Sequence, residues 1–505
     1  MNAAPTSQAP ASAAGAPPAG SAAPRPGAPA HPWMHASMDD ARRIFDLQRA
    51  NRWTVAASTA RERIAKLRRL KAALLANREA LYEAMFADFH KPEAEVELTE
   101  IQPTLNELNH TIRRLGHWMH PRRAKTPWLL SGTRSEIRYE PKGVVLVLAP
   151  WNYPVLLLLT PLAAAVAAGN CAIVRPSEKV PHTSRVLGDI VRAAFDEHDV
   201  ALLTGDVPFA NAILDLPFDH VFFTGSTKVG RHVMVAAARH LASVTLELGG
   251  KSPAIVDETA NVKAAAQRII WGKCINAGQT CVAPDYALVH ESRAAEFIEQ
   301  AKKALDRFYG ETPEQRRASP DFCRIVDDAG FARLVGLLDQ TVASGARIEA
   351  GGDRRAEERY LAPTIVTGLS DHAPLMREEI FGPILPVLTY RTLDEAAELI
   401  DRRGKPLALY VFTKRARQVE AVLARTSSGG TVVNNVVIHL ANPHLPFGGV
   451  GESGTGSYHG VFGFRAFSHE RSVLRQGPAS MFHRLYPPYV PAVRRLVSLV
   501  SRVMG

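Results

Sequence analysis

The chain has 505 residues, 46% apolar and 22% charged, enough for a large core and for two or three domains. Its net charge of +10 is local, because residues 111–142 carry eight Lys/Arg against two Glu and residues 471–505 carry six Arg and no acid; no basic groove with interleaved aromatics or reader motif accompanies it, which argues against nucleic acid as a partner. The four cysteines, Cys171, Cys274, Cys281 and Cys323, form no C-x-x-C pair and no Cys/His ligand spacing, which argues against structural zinc, any metal site and a disulfide framework, and for a reducing compartment.

Residues 1–37 are mostly Ala, Pro, Gly and Ser, without the hydrophobic stretch of an export signal. They read as a disordered extension of a cytoplasmic protein. From residue 60 to 90 the apolar positions Ile64, Leu67, Leu74, Leu81, Met85 and Phe89 recur at helical spacing, predicting one amphipathic helix or a pair. Ile101, Leu105, Leu108 and Ile112 predict another, stopped by the PRRAKTPW punctuation. After the alternating RSEIRYEP the grammar changes. GVVLVLA (143–149) is a strand buried on both faces, and VLLLLTPLAAAVAA (155–168) is a buried helix too short to cross a bilayer. CAIV, a helix over 184–195, HVFFTG, a helix over 229–239 and SVTLEL continue the alternation. These units predict a doubly wound parallel sheet that binds a nucleotide, over residues 38–121 and 141–246. A second α/β series over 247–431 has PAIVD, ALVHE, LAPTIV, PILPVLTY, LALYVFT and GGTVVNN as strands.

Four motifs carry chemistry. APWNYP (149–154) follows a parallel strand at its carboxyl end, where open α/β sheets place ligands, and Asn152 offers an amide donor there; Asn-Tyr-Pro is equally ordinary turn chemistry. FTGSTKVG (223–230) runs from strand through Gly225 and Ser226 into a helix whose free N–H groups favour an anion, although it is not G-x-G-x-x-G and also fits a plain tight turn. LELGGKSP sets Glu247 at a strand end, where apolar surroundings would raise a carboxyl and suit it as a general base, or where it is simply solvated. In GKCINAGQTCVAPD (272–285), Cys281 lies in a loop whose backbone N–H groups can support a thiolate, which suits a nucleophile or a structural sulfur alike; Cys274 lies in a helical run and reads as core.

These four motifs in this order resemble the aldehyde dehydrogenase superfamily, and GQTCVAPDY, EEIFGP, PHLPFGGVGESG and YHG resemble its class 3 branch, acting on fatty and aromatic aldehydes. The likeness covers about residues 40–488. It implies an NAD(P)-dependent oxidation of an aldehyde to the acid, with Cys281 as nucleophile, Asn152 and the Cys281 N–H holding the oxyanion, and Glu247 activating water on the thioester. It further implies cofactor contacts by Trp151, Gly225, Ser226, Gly230, Glu379 and Phe381. Where the family usually has Lys-Pro-Ser-Glu, this chain has Arg175-Pro176-Ser177-Glu178. The guanidinium favours a 2′-phosphate and Glu178 repels one, so NAD is expected, with NADP use open beside it. Residues 122–140 and 432–475 would form a small β oligomerisation arm, giving a homodimer.

In the 476–505 tail, Val493, Leu496, Val497, Val500, Val503 and Met504 fall on one side of a helix starting near Pro491, with Arg494, Arg495 and Arg502 on the other. Such a basic amphipathic helix can make peripheral contact with an anionic membrane, cover a substrate tunnel or pack as a terminal helix. Two other functional readings stay open: a coenzyme A-acylating enzyme, against which Glu247 speaks, and a non-catalytic membrane-associated scaffold, against which Cys281 and Asn152 speak.

Overall fold

The computed structural model describes residues 36–478 and 486–504; the 1–37 extension, apart from its last two residues, lies outside them. Ser37 and Asp40 form a capping box that starts the helix Met38–Ala56, and Thr59 and Glu62 start Ala60–Ala76 in the same way. The periodic 60–90 stretch is a pair of helices, the second being Arg78–Phe89.

The first sheet has six strands in the order Gly454–Thr455, Ser243–Glu247, His220–Thr224, Val144–Leu148, Cys171–Arg175 and Val200–Leu202. All pair in parallel except the short Gly454–Thr455 edge. Every residue of Val144–Leu148, Cys171–Arg175 and His220–Thr224 is buried, which is why these strands read as unbroken apolar runs. Chain order reverses between Val144–Leu148 and His220–Thr224, and a crevice opens beyond their carboxyl ends at such a switch point. The wholly buried helix Leu156–Ala168 packs behind it.

The second sheet has seven strands, in the order Arg347–Ala350, Thr364–Thr367, Ile384–Tyr390, Tyr286–His290, Pro253–Val256, Ala408–Phe412 and Gly430–Val433. Only Arg347–Ala350 is antiparallel. The LAPTIV segment divides around Pro363: Tyr360–Leu361 joins a two-stranded ribbon with Arg354–Arg355, and Thr364–Thr367 enters the main sheet. A third, antiparallel sheet of Arg122–Ala124, Thr133–Pro141 and Ser468–Gln476 forms a β arm. The helix Pro491–Met504 begins at the expected proline; the side chains of Leu496, Val500, Val503 and Met504, on which its apolar stripe rests, lie outside the described ones. Among the described residues no helix is long and apolar enough to cross a membrane.

Candidate active site

The carboxyl ends of three strands of the first sheet, two of them adjacent and the third beyond Val144–Leu148, bring the sequence motifs to one crevice. Arg175 closes one strand, Thr224 leads into Gly225 and Ser226, and Glu247 closes the third. These positions also hold polar atoms buried without a partner: Arg175 Nε, Thr224 Oγ1 and both carboxylate oxygens of Glu247. Unpaired buried polar atoms are costly, so their concentration along one sheet edge marks a place built to meet a ligand or water. Glu247 is 2% exposed, and burial pushes its carboxyl well above the ordinary value.

Cys281 is the one cysteine of the four that is not fully buried. It opens on a cavity of about 360 Å³ walled almost wholly by carbon, with Leu156, Leu157, Trp271, Phe447 and Tyr458 among its lining. Burial first, then the charges of Glu379 and Glu247, push the thiol up to about 12, against the pull of the N–H groups of Cys281 and Val282. Cys274 ends the helix Val262–Cys274 in the core, as its helical context predicted.

The loop before Cys281 is locked from below. Asn276 and Ala277 take left-handed φ values of 55° and 49°, and Gly278 follows at +73°. A Cβ on Gly278 would lie 2.2 Å from the Gly382 carbonyl oxygen, so only glycine fits there. Asn152 Nδ2 donates to Gln279 O at 3.1 Å, and Asn276 Nδ2 donates both to Asn152 O at 3.0 Å and to Gln279 O at 3.1 Å. The Gln279 side chain in turn donates to Asn276 O and Arg324 O and accepts from Val326 N. Asn152 is thereby fixed against the cysteine loop, 3% exposed.

A second layer comes from residues 91–101, helical from Glu93 onward, whose π-helical Glu97–Ile101 segment is a local departure of the kind that gathers at functional sites. Glu95 Oε2 accepts from Asn276 N at 3.0 Å, and Glu95 is pushed up to about 7 by burial. Lys91 and Glu100, both fully buried, pair at 2.9 Å. Glu100 Oε2 accepts from Val155 N and Leu156 N, capping a helix that has no side-chain cap of its own. Lys91 Nζ lies 4.1 Å from the centre of the Tyr153 ring, whose hydroxyl shares a 2.5 Å hydrogen bond with Thr280. One buried ion pair thus steadies both the Asn152 turn and the cysteine loop.

Trp151 and Phe381 meet edge to face, 5.4 Å between ring centres. The Glu379 carboxylate lies against Gly249, where a Cβ would come within 2.0 Å of it, and burial pushes it up to about 8. The loop carrying Glu379 and Phe381 is pinned by Lys251, whose Nζ donates to Asp285 and to Leu375 O and Glu378 O, while Asp285 accepts from Ile380 N. Gly225 and Gly230 are closed in by the chain itself, since a Cβ would strike Phe223 and Leu248 respectively. Their smallness serves packing as well as any ligand. The Thr227–Ala238 helix begins here under a Ser226 cap and faces a polar cavity of about 620 Å³, lined by Lys251, Glu379, Arg402, Arg403 and Lys405 among others. Arg175 Nη2 donates to Glu178 Oε2 at 2.7 Å and to Gly205 O and Asp206 O.

The buried helix-capping Glu100, the Lys91 beneath Tyr153 and the Lys251–Asp285 tie were not read as site residues in the sequence. Lys251 and Asp285 sit inside quoted motifs, whereas nothing in the linear pattern links Glu95 or Glu100 to a loop more than 50 positions away.

Two mainly parallel sheets, a switch-point crevice at the end of the first and an apolar cavity holding a partly exposed cysteine define an α/β enzyme of the nucleotide-dependent kind. The aldehyde dehydrogenase family profile matches residues 20–473. The chain is 42% identical over 437 residues to aldehyde dehydrogenase family 3 member B1 of Bos taurus, covering 86% of this chain and 92% of that one. Among solved structures, the substrate-bound AldH of Staphylococcus aureus superposes with a TM-score of 0.87 at 41% identity, covering 91% and 99% of the two chains. The aldehyde dehydrogenase of Bacillus cereus in its NAD+ complex superposes at 0.80 with 26% identity, covering 88% and 90%. The chain belongs to the aldehyde dehydrogenase family and is an oxidoreductase that converts an aldehyde to the acid.

Proposed function

We propose that this enzyme oxidises apolar aldehydes, medium to long aliphatic or aromatic, to carboxylic acids with NAD as the preferred acceptor. The observation that carries the reading is the meeting of Cys281 with a cavity whose walls are almost all carbon. Such a cavity gains from burying an apolar tail and offers no charged partner to a small polar aldehyde.

Cys281 Sγ attacks the carbonyl carbon, and the oxygen, as it gains charge, is held by Asn152 Nδ2 and the Cys281 N–H. When bound, the nicotinamide would supply the acceptor for the hydride that this carbon must lose for the thiohemiacetal to become a thioester. Glu247 then takes a proton from the water that cleaves the thioester, a role supported by its two unpartnered oxygens and raised carboxyl. The cofactor would be held by Trp151, Gly225, Ser226, Gly230, Glu379 and Phe381, its phosphates at the Thr227 helix start near Lys251 and Arg402, and its adenosine ribose at Glu178. That the protein can host such a group is supported by the orphaned Arg175 Nε and Thr224 Oγ1 at the strand ends and by the cations lining the polar cavity.

Two coarser features complete the proposal. Exposed apolar side chains gather on the β arm, Trp128 and Leu474, and on and after the sheet-edge strand Gly430–Val433, namely Val433, Ile438 and Leu445. They support a homodimer in which each arm covers the other subunit's open edge. The described side chains of Pro491–Met504 are mostly exposed and include Arg494, Arg495 and Arg502, supporting a peripheral contact with an anionic surface.

The test is NADH formation across aldehydes of increasing chain length, joined to intact-mass measurement. Cys281→Ala is expected to abolish turnover and any acyl mass adduct. Glu247→Gln is expected to lower turnover about 10²–10⁴-fold while the acyl adduct accumulates. Turnover surviving in Cys281→Ala would overturn the mechanism.

A further inference from the structure

A cavity of about 260 Å³ is lined from both α/β units, by Trp151 and Lys179 of the first and by Gln279, Asp327, Arg333 and Phe381 among others of the second. Trp151 follows the strand Val144–Leu148, and Lys179 follows Cys171–Arg175. On the other side, Asp327 caps the helix Asp328–Ala343, and Phe381 leads into the strand Ile384–Tyr390.

A closed ring of contacts runs through this lining. Lys179 Nζ pairs with Asp327 Oδ2 at 2.6 Å and stands 5.7 Å from the centre of the Trp151 ring. Trp151 meets Phe381 edge to face. From the helix that Asp327 caps, Arg333 donates to Glu378 Oε1, Glu379 O and Ile380 O, which fixes the loop carrying Phe381. Two links of the ring, Lys179–Asp327 and Trp151–Phe381, join one unit to the other. Asp327 is firmly held at its end. Its Oδ1 accepts from Gly330 N at 2.7 Å as the helix cap, which leaves Oδ2 to Lys179. Burial raises this carboxyl, yet the bonds from Lys179 and Gly330 N and the charges of Lys179 and Arg359 outweigh burial and hold it below its ordinary value. Val326, just before it, donates to Gln279 Oε1, and Gln279 O accepts from Asn152, so the anchor reaches the cysteine loop. The side chains of Lys179 and Asp327 are 37% and 30% exposed, in contrast to the sealed Lys91–Glu100 pair. Water and salt therefore reach this ion pair, and it can open and reclose.

We propose that the Lys179–Asp327 ion pair is a latch between the two α/β units that sets how long the nicotinamide end of the cofactor stays bound. Both are positioning residues, acting by holding Trp151 against Phe381 and making no bond of their own to the cofactor. The inference rests on the placing of the cofactor at Trp151, Glu379 and Phe381. A cofactor leaving between these residues has to part the two rings, and the ion pair beside them opposes that parting.

The experiment reads NADH dissociation from the full-length enzyme by stopped-flow fluorescence, with excess NAD+ trapping the emptied site. Lys179→Met and Asp327→Asn are each expected to speed release about three- to fivefold, the scale of one partly exposed ion pair. Asn at 327 still accepts from Gly330 N, so the helix keeps its cap. Lys179→Arg restores the wild-type rate within about twofold, and the double variant releases NADH no faster than either single one, because one shared contact is lost. Raising salt from about 0.01 M to about 1 M, which cuts the screening length from about 30 Å to about 3 Å, speeds release from the wild type and leaves Lys179→Met unchanged. Equal rates in all variants, or additive effects of the two substitutions, overturn the latch. So does slower release from Asp327→Asn, since that result would mean that the freed Lys179 grips the cofactor directly. If NADH fails to bind the wild type at all, the cofactor reading itself falls, an outcome distinct from unaltered release.

Discussion

Burial raises Cys281 to about 12 and Glu247 well above its ordinary range, and under the proposed roles both groups work in their deprotonated forms. For each, the active fraction therefore grows as pH climbs toward its raised pKa. The expected outcome is a kcat/KM that increases from pH 6.5 to 9.5; a profile flat or falling over that range contradicts the assignment. Arg175 and Glu178 give a second test. The guanidinium that would welcome a 2′-phosphate is 7% exposed and committed to Glu178 and two carbonyls, so the preference for NAD is argued from a pair rather than from one side chain. Glu178→Ala removes the like charge and one of the three acceptors on Arg175 Nη2, and NADP efficiency relative to NAD is expected to rise about tenfold or more, the scale of one charge-assisted hydrogen bond. At this scale the sequence was most legible where a residue type announces its chemistry. The loop setting of Cys281 and the helical setting of Cys274 both appear in the fold. Less visible were residues that act through others: Gln279 stands in the quoted motif, yet its four-way hold on Asn276, Asn152, Arg324 and Val326 exists only once the chain has folded.

Among the elements, the parallel strands were readable because both faces are buried, so Val144–Leu148 or His220–Thr224 had to be continuous apolar runs. Ser468–Gln476 gave no such signal. Its sequence SHERSVLRQ is exposed at most positions, and its partner along the full nine-residue register, Thr133–Pro141, is more than 300 positions away. The turns at 91–101 were opaque for a related reason, since the sites they serve are distant in sequence. Their energetic importance is testable. Lys91→Met leaves Glu100 buried without its cation, which is expected to cost about 3–5 kcal/mol of stability by denaturant titration. Because Glu100 also caps Leu156–Ala168 and Lys91 backs Tyr153, the same substitution is expected to lower kcat more than it raises KM. A shift in denaturation midpoint with unchanged kcat would reduce the pair to a packing role.

For the whole molecule, the question is what the seven-stranded sheet does with its Gly430–Val433 edge. An exposed edge strand offers unpaired backbone groups to any other chain, and proteins usually blunt or cover it. Here the edge and the segment after it expose Val433, Ile438 and Leu445 instead, while the arm carries Trp128 and Leu474 outward. A surface that leaves apolar groups on two separate elements of one chain is relieved when two copies exchange them through a twofold axis, arm to edge and edge to arm. Sedimentation equilibrium is therefore expected to give twice the 55.0 kDa mass of the chain. Leu474→Arg combined with Val433→Arg should shift it to the single-chain mass, since each dimer then buries four new charges at its contacts. The same centrifuge, with anionic vesicles added, reads the Pro491–Met504 helix: its deletion is expected to lower vesicle binding without changing the dimer, because arm and edge lie outside it. A variant pair that stays at the double mass would require the subunits to meet through another face, and would leave the exposed apolar groups of the arm unexplained.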